Sequence, residues 1–164
     1  MSVYTTSTDT ADEHWFLGTL ATIRASATGT GRTLSIVEFL HPAGFATPPH
    51  VHHRADEAFY VLAGSLVGFS GDTEFRADTG GFVWLPRGVP HGYRADGDEL
   101  LRTLAITMPG GMDEFVAAVS EPARERALPA APFLPDPAEM TAVATRHDIT
   151  HLGPPGAMIP GGTG

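Results

Sequence analysis

Gly44-x5-His50-x-His52-x4-Glu57-x6-Gly64, followed by Gly80-x5-Pro86-x-Gly88-x2-His91, constrains the fold of this chain more than any other feature. Two imidazoles and a carboxylate fall within eight residues, and a further imidazole ends a second run punctuated by glycine and proline. Imidazole and carboxylate together suit a divalent transition metal, so the fold must bring the four side chains to one point. Residues two apart on a β-strand share a face, which lets His50 and His52 converge. Glu57 lies five residues beyond His52, an odd offset that would turn it to the opposite face of a continuous strand. The chain must therefore bend or bulge between Arg54 and Asp56.

Strand-type runs cover Trp15 to Ala27, Arg32 to Leu40, Ala58 to Leu62, Leu66 to Ser70, Thr73 to Ala77, Phe82 to Leu85, His91 to Ala95 and Glu99 to Thr107. Glycine- and aspartate-rich turns separate them, as at Gly64-Ser65, Gly71-Asp72 and Asp96-Gly97-Asp98. Short strands at this spacing predict an all-β sandwich or barrel. After Pro109 the period changes. Met112, Phe115, Val116 and Val119 fall at helical spacing, with Asp113 and Glu114 suited to a helix N-terminus. Asp136-Pro137-Ala138-Glu139 reads as an N-cap with proline at the first helical position, opening a second helix through about His147. The expected organisation is a flexible segment 1–13, a barrel over 14–109, a helical extension over 110–150 packed on it, and a flexible Gly/Pro-rich tail over 151–164. There is no internal repeat, and 164 residues suit one domain.

Composition removes several chemistries. Cys, Lys, Asn and Gln are absent. Without thiolate or amine the chain has no Fe–S or zinc–cysteine site, no cysteine nucleophile and no Schiff base. A net charge of −9 argues against a nucleic acid or an anionic membrane as partner. No stretch approaches the ~20 apolar residues of a membrane span, and Met1 to Glu13 lacks the basic start and apolar run of a signal peptide. The expected compartment is the cytoplasm.

The two patterns resemble the two motifs of the cupin superfamily. The first agrees at every fixed position. The second departs once, at Ala95, where the family often has an asparagine that is not a metal ligand. The segment Met108 to Phe115, then Glu121-Pro122-Ala123, Leu128 to Glu139 and Arg146-His147-Asp148, resembles the C-terminal extension of bacterial single-domain quercetinase-like cupins. With Pro48-Pro49-His50-Val51-His52-His53, the likeness covers about two-thirds of the chain. It implies an all-β jelly-roll β-barrel with a short C-terminal helical extension, and one metal ion held by His50, His52, Glu57 and His91. The donor set leaves the ion open among Fe, Mn, Co, Ni, Cu and Zn.

In quercetinase-like enzymes a flavonol hydroxyl binds the metal as its anion, the ligand glutamate takes or hydrogen-bonds the proton, dioxygen adds across the heterocycle and carbon monoxide leaves. That resemblance makes Glu57 the expected base and the expected partners a small aromatic substrate and O2, with a homodimer as the assembly. Phe59 and Val61 share parity with Glu57, and Tyr93 with His91, so these three are the expected lining of the substrate cavity. Met108, Met112 and Phe115 are candidates to cover the barrel mouth. His53 points away from the cluster on a regular strand. His14, His41, His147 and His151 carry no spacing signal and read as surface or packing residues. Two other functions fit the same ligands: a non-redox cyclase or isomerase in which the ion polarises a carbonyl, and a non-catalytic small-molecule binder.

Overall fold

A computed structural model describes residues 3–7, 9–132 and 134–157. Its elements are β1 (Asp12–Phe16), β2 (Thr19–Ala25), β3 (Ser35–His41), β4 (His50–His52), β5 (Asp56–Ala63), β6 (Ser65–Ser70), β7 (Thr73–Asp78), β8 (Phe82–Leu85), β9 (His91–Ala95), β10 (Leu101–Met108), α1 (Met112–Ala118), β11 (Glu121–Pro122), α2 (Pro137–Arg146) and β12 (Ile149–His151).

Alternation decides which face each strand buries. On β3, Ser35, Val37, Phe39 and His41 are buried while Ile36, Glu38 and Leu40 are half-exposed. Its partner β10 buries Leu101, Thr103, Ala105 and Thr107 in register with them. The strands form two antiparallel sheets, ordered β11-β1-β2-β3-β10-β5-β8 and β12-β4-β9-β6-β7, around one core: an all-β jelly roll. Gly64 turns β5 into β6 with φ +76°, and a Cβ there would meet the Leu100 carbonyl oxygen at 2.6 Å, so only glycine makes this corner.

The expected bend before Glu57 is a change of sheet. β4 belongs to the five-stranded sheet and β5 to the seven-stranded one, with 53–55 crossing between them. The run expected as one strand from Trp15 to Ala27 is instead a hairpin. Leu17 and Gly18 both take positive φ, 51° and 83°, which turns β1 into β2, and the Thr19 hydroxyl donates to the Phe16 carbonyl at 2.6 Å. β1 starts at Asp12, inside the segment expected to be flexible, because it pairs with β2 along its whole length.

The C-terminal extension folds onto the barrel. Phe115 and Val116 of α1 are buried in the core. The Asp113 carboxylate accepts from the Ala27 N–H at 3.0 Å, and Arg32 makes two bonds to Glu114, tying α1 to the end of β2. Asp136 caps α2 by accepting from the N–H groups of Ala138 and Glu139. α2 ends at Arg146, and Asp148, with a positive φ of 58°, turns the chain into β12. β12 then pairs with β4, Ile149 opposite His52 and His151 opposite His50. The tail expected to be flexible from residue 151 is fastened as far as 157 by two bonds: the Leu152 N–H donates to Pro49 and the Gly156 N–H to Thr47. Residues 158–164 of that tail lie outside the described residues.

Candidate metal centre

The change of sheet explains how an odd offset converges. His50 and His52 stand on β4, and His91 starts β9 directly opposite His50, so one sheet supplies three imidazoles. Glu57, second residue of β5, comes from the other sheet. One ligating atom from each lies within 4.8 Å of all the others. Glu57 Oε2 is 3.7 Å from His52 Nε2 and 3.3 Å from His91 Nε2. His52, Glu57 and His91 are buried, and His50 is half-buried.

Tautomers follow from the backbone. His50 Nδ1 donates to the Pro48 carbonyl at 2.8 Å, and His91 Nδ1 donates to the Val89 carbonyl at 2.9 Å. Each neutral ring then carries its lone pair on Nε2, the orientation that a backbone carbonyl bonded to the far nitrogen imposes on metal-binding histidines. Burial, with His91 and His52 nearby, pulls His50 down to about 3. Burial also lowers His52, partly opposed by Glu57. Burial works against ionised Glu57, but the surrounding His52, His91 and His50 outweigh it and hold the carboxyl at about 2.

Neutral pH therefore leaves the Glu57 carboxylate facing uncharged His50 and His52. His52 Nε2, Glu57 Oε2 and His91 Nε2 are buried with no hydrogen-bond partner among the described residues. Such orphaned acceptors are costly unless a cation satisfies them. Donors ~2.0–2.2 Å from an ion stand up to ~4.4 Å apart, so the cluster fits a divalent transition metal after a small inward adjustment.

Above the cluster lies a cavity of about 70 Å³. Phe16, Phe39, Phe45, Phe59 and Tyr93 give it an aromatic wall, α1 adds Met112 and Phe115, and β12 adds Ile149 and His151. Two of the three expected cavity residues, Phe59 and Tyr93, line it. Val61 does not. It has the right parity but sits one side-chain pair further along β5, fully buried in the core. The expected mouth residues divide in the same way: Met112 and Phe115 face the cavity, and Met108 is not in its lining. His53 is exposed and bonds the Thr150 hydroxyl at 2.9 Å, away from the cluster.

Of the four histidines expected as surface or packing residues, two also face the cavity. His14 bonds Ser120, and His147 packs its ring 5.8 Å from that of Phe115. His41 and His151, however, both line the cavity. β12 brings in His151, with its ring 6.3 Å from that of His50, and β3 brings in His41. Burial drives His41 down to about 3, so it is neutral. It is stacked between Phe39 and Phe45, with ring centroids 5.4 and 4.6 Å away.

Among the described residues no arginine lines this cavity. A second, outer pocket of about 360 Å³ adjoins it, sharing His52, Met112 and Ile149 with it. Arg32, Arg54 and Arg146 stand around that outer pocket, with Glu114 and Asp148.

Residues 36–107 match the model of the cupin domain family. Over 103 residues the chain is 29% identical to quercetin 2,3-dioxygenase of Bacillus subtilis (strain 168), in an alignment covering 63% of this chain and 30% of that protein. The chain thus matches less than a third of that relative's length. KdgF from Halomonas sp. superposes with a TM-score of 0.59 at 19% identity, over 70% of this chain and 99% of that one. A Streptomyces PAC13 variant with uridine superposes with a TM-score of 0.56 at 15% identity, over 70% and 88%. At these identities the two structures speak for the fold. Two glycine-framed motifs, set by a two-sheet barrel around a His–His–Glu–His cluster, agree with those similarities: residues 36–107 match the cupin domain family in sequence, and the chain has a jelly-roll fold like that of these neighbours.

Proposed function

We propose that the chain is a metal-dependent dioxygenase of the quercetinase-like type, cleaving a flavonol or related aromatic enol with O2. The carrying observation is the set of orphaned buried atoms His52 Nε2, Glu57 Oε2 and His91 Nε2, of which His52 and Glu57 stand in the wall of an aromatic cavity. His50, His52, His91 and Glu57 would hold the ion. When bound, a divalent transition metal supplies Lewis acidity and, if redox-active, a route for electrons to dioxygen.

The residues divide the remaining work. Among the described residues Glu57 is the only carboxylate lining the cavity, so it takes the proton of a substrate hydroxyl presented at the cluster. Phe39, Phe45 and Phe59 flank a planar ring. Met112 and Phe115 close the space above it and exclude water from the reaction. An uncharged or singly anionic aromatic suits a cavity with no arginine among its described lining residues.

Size adds a condition. The cavity of about 70 Å³ is well below the ~300–1,000 Å³ of ordinary ligand pockets. Met112 is an unbranched side chain with three rotatable bonds, standing between this cavity and the outer pocket of about 360 Å³. Turning it outward joins the two spaces into the ordinary range, which is how a flavonol would reach the cluster. A homodimer fits the same picture, since it would cover Tyr60, Phe82 and Trp84, exposed together on the outer face of β5 and β8.

Oxygen decides the reading. Protein loaded with Mn, Fe, Co, Ni or Cu should consume O2 while cleaving flavonol-type substrates, and should stop under anaerobic conditions. Conversion of the aromatic substrate at the same rate without oxygen would replace this function by a Lewis-acid cyclase or isomerase.

A further inference from the structure

His41 is a buried polar group of the barrel that the proposed metal chemistry leaves unused. It is 1% exposed and nine residues before the nearest ligand in sequence. Its Nε2 lies 3.2 Å from the Tyr93 hydroxyl and 3.5 Å from the Thr103 hydroxyl. A phenol is a stronger donor and a weaker acceptor than an alcohol, so the Tyr93 hydroxyl donates to this nitrogen, while the Thr103 hydroxyl stands at the limit of hydrogen-bonding reach. Nε2 therefore holds the lone pair, and the single proton of the neutral ring sits on Nδ1. That Nδ1 is buried without any partner among the described residues.

A buried N–H without an acceptor is unfavourable, and few survive in folded proteins without a reason. Simple packing does not supply one here. Phe39 and Phe45 already sandwich the ring, and a third aromatic residue would stack equally well without the orphaned group. Because His41 lines the same cavity as the metal cluster, the missing acceptor can be delivered by whatever enters.

We propose that His41 is a specificity residue: its Nδ1–H donates a hydrogen bond to an acceptor oxygen, such as a carbonyl, carried by a planar ligand whose other end meets the His50–His52–Glu57–His91 cluster. Tyr93 acts as a positioning residue that fixes the tautomer. This deepens the function proposed above and rests on its reading of the cavity as the substrate site. The ligand class narrows accordingly to an aromatic enol or phenol with an oxygen acceptor distant from the metal-binding oxygen. An analogue lacking that acceptor leaves the N–H buried and unpaired.

The test uses the full chain loaded with zinc, which cannot oxidise the probes, and two catechols of the same shape: 3,4-dihydroxybenzaldehyde, with a distant carbonyl, and 4-methylcatechol, without one. Calorimetric affinities are measured for the natural chain and His41→Phe. Losing one hydrogen bond should weaken the aldehyde by ~3–10-fold in the variant and leave 4-methylcatechol within a factor of ~2. A second measurement needs no variant: in protein with 15N-labelled histidine, the His41 Nδ1–H proton resonance should move downfield with the aldehyde and stay in place with 4-methylcatechol. Both probes weakened alike, neither weakened, or an Nδ1–H signal indifferent to the aldehyde overturns the role of His41 while leaving the metal site standing. If His41→Phe does not fold, the resonance decides alone. Failure of both probes to bind the natural chain overturns the substrate-site reading and this inference with it.

Discussion

Replacing His41 by Phe should flatten the acid limb of the stability curve. The residue is 1% exposed, and burial lowers it from an ordinary 6.5 to about 3. In the unfolded chain it titrates as an ordinary histidine. Between pH 6.5 and 3 the unfolded state thus holds a proton that the native state refuses, so stability is full above the unfolded pKa and is lost as pH falls through this window. One such group gives a slope of ~1.4 kcal/mol per pH unit, or ~3 kcal/mol between pH 6.5 and 4.5. His41→Phe keeps an aromatic ring between Phe39 and Phe45 but removes the titrating nitrogen. Loss of the acceptor for Tyr93 shifts the variant's stability by a similar amount at every pH, leaving the slope as the readout. Urea denaturation of both metal-free chains from pH 7.5 to 4.5 measures it. With m-values of ~1–3 kcal/mol per molar, the predicted difference is a relative midpoint shift of ~1 M or more. Parallel midpoint curves for the two chains would refute the reasoning, because a histidine that does not alter the slope is not held neutral by burial.

Further outcomes follow from the same geometry. Glu57→Gln should lower turnover by ~10²–10⁴ after normalising to bound metal, since the amide cannot take the substrate proton; near-normal turnover per metal assigns that proton elsewhere. Met112→Ala removes the side chain between the two pockets and should accelerate binding of three-ring flavonols, measured by stopped-flow, with little change for single-ring ligands. An equal effect on both sizes contradicts a gate at Met112. Asp136→Ala deletes two hydrogen bonds at the start of α2 and should cost ~0.5–2 kcal/mol of stability without altering metal content.

The ligand cluster was legible because its signal is local. His50-x-His52 shares a face by strand parity, and the odd offset of Glu57 demanded a break, although sequence could not distinguish a bulge from the crossing between sheets that 53–55 makes. Helices α1 and α2 were legible for a similar reason: the apolar period of Met112, Phe115, Val116 and Val119, and the Asp136-Pro137 cap, lie within a few turns. What stayed hidden depends on distant partners or on depth. β12 is three residues long and pairs with a strand almost a hundred residues earlier, so Ile149-x-His151 is too short to announce itself. Leu17-Gly18 lacks the Asn-Gly or Asp-Gly chemistry of a tight hairpin, and tertiary pairing holds Leu17 at positive φ. His41 had a usable signal. It continues the inward parity of Val37 and Phe39, but the strand expected from sequence ended at Leu40, one residue short. Val61 fails in the opposite way, because parity reports the face of a strand and not whether a side chain reaches the cavity or the core.

Metal content tests the central claim most directly. Chain purified without a metal-binding tag and analysed by elemental mass spectrometry should carry one divalent transition metal ion per chain. His52→Ala, which removes one orphaned nitrogen from a barrel whose core lies elsewhere, should carry almost none while keeping its β-sheet circular dichroism. Full occupancy in folded His52→Ala, or no stoichiometric metal in the natural chain even after loading, would contradict the account.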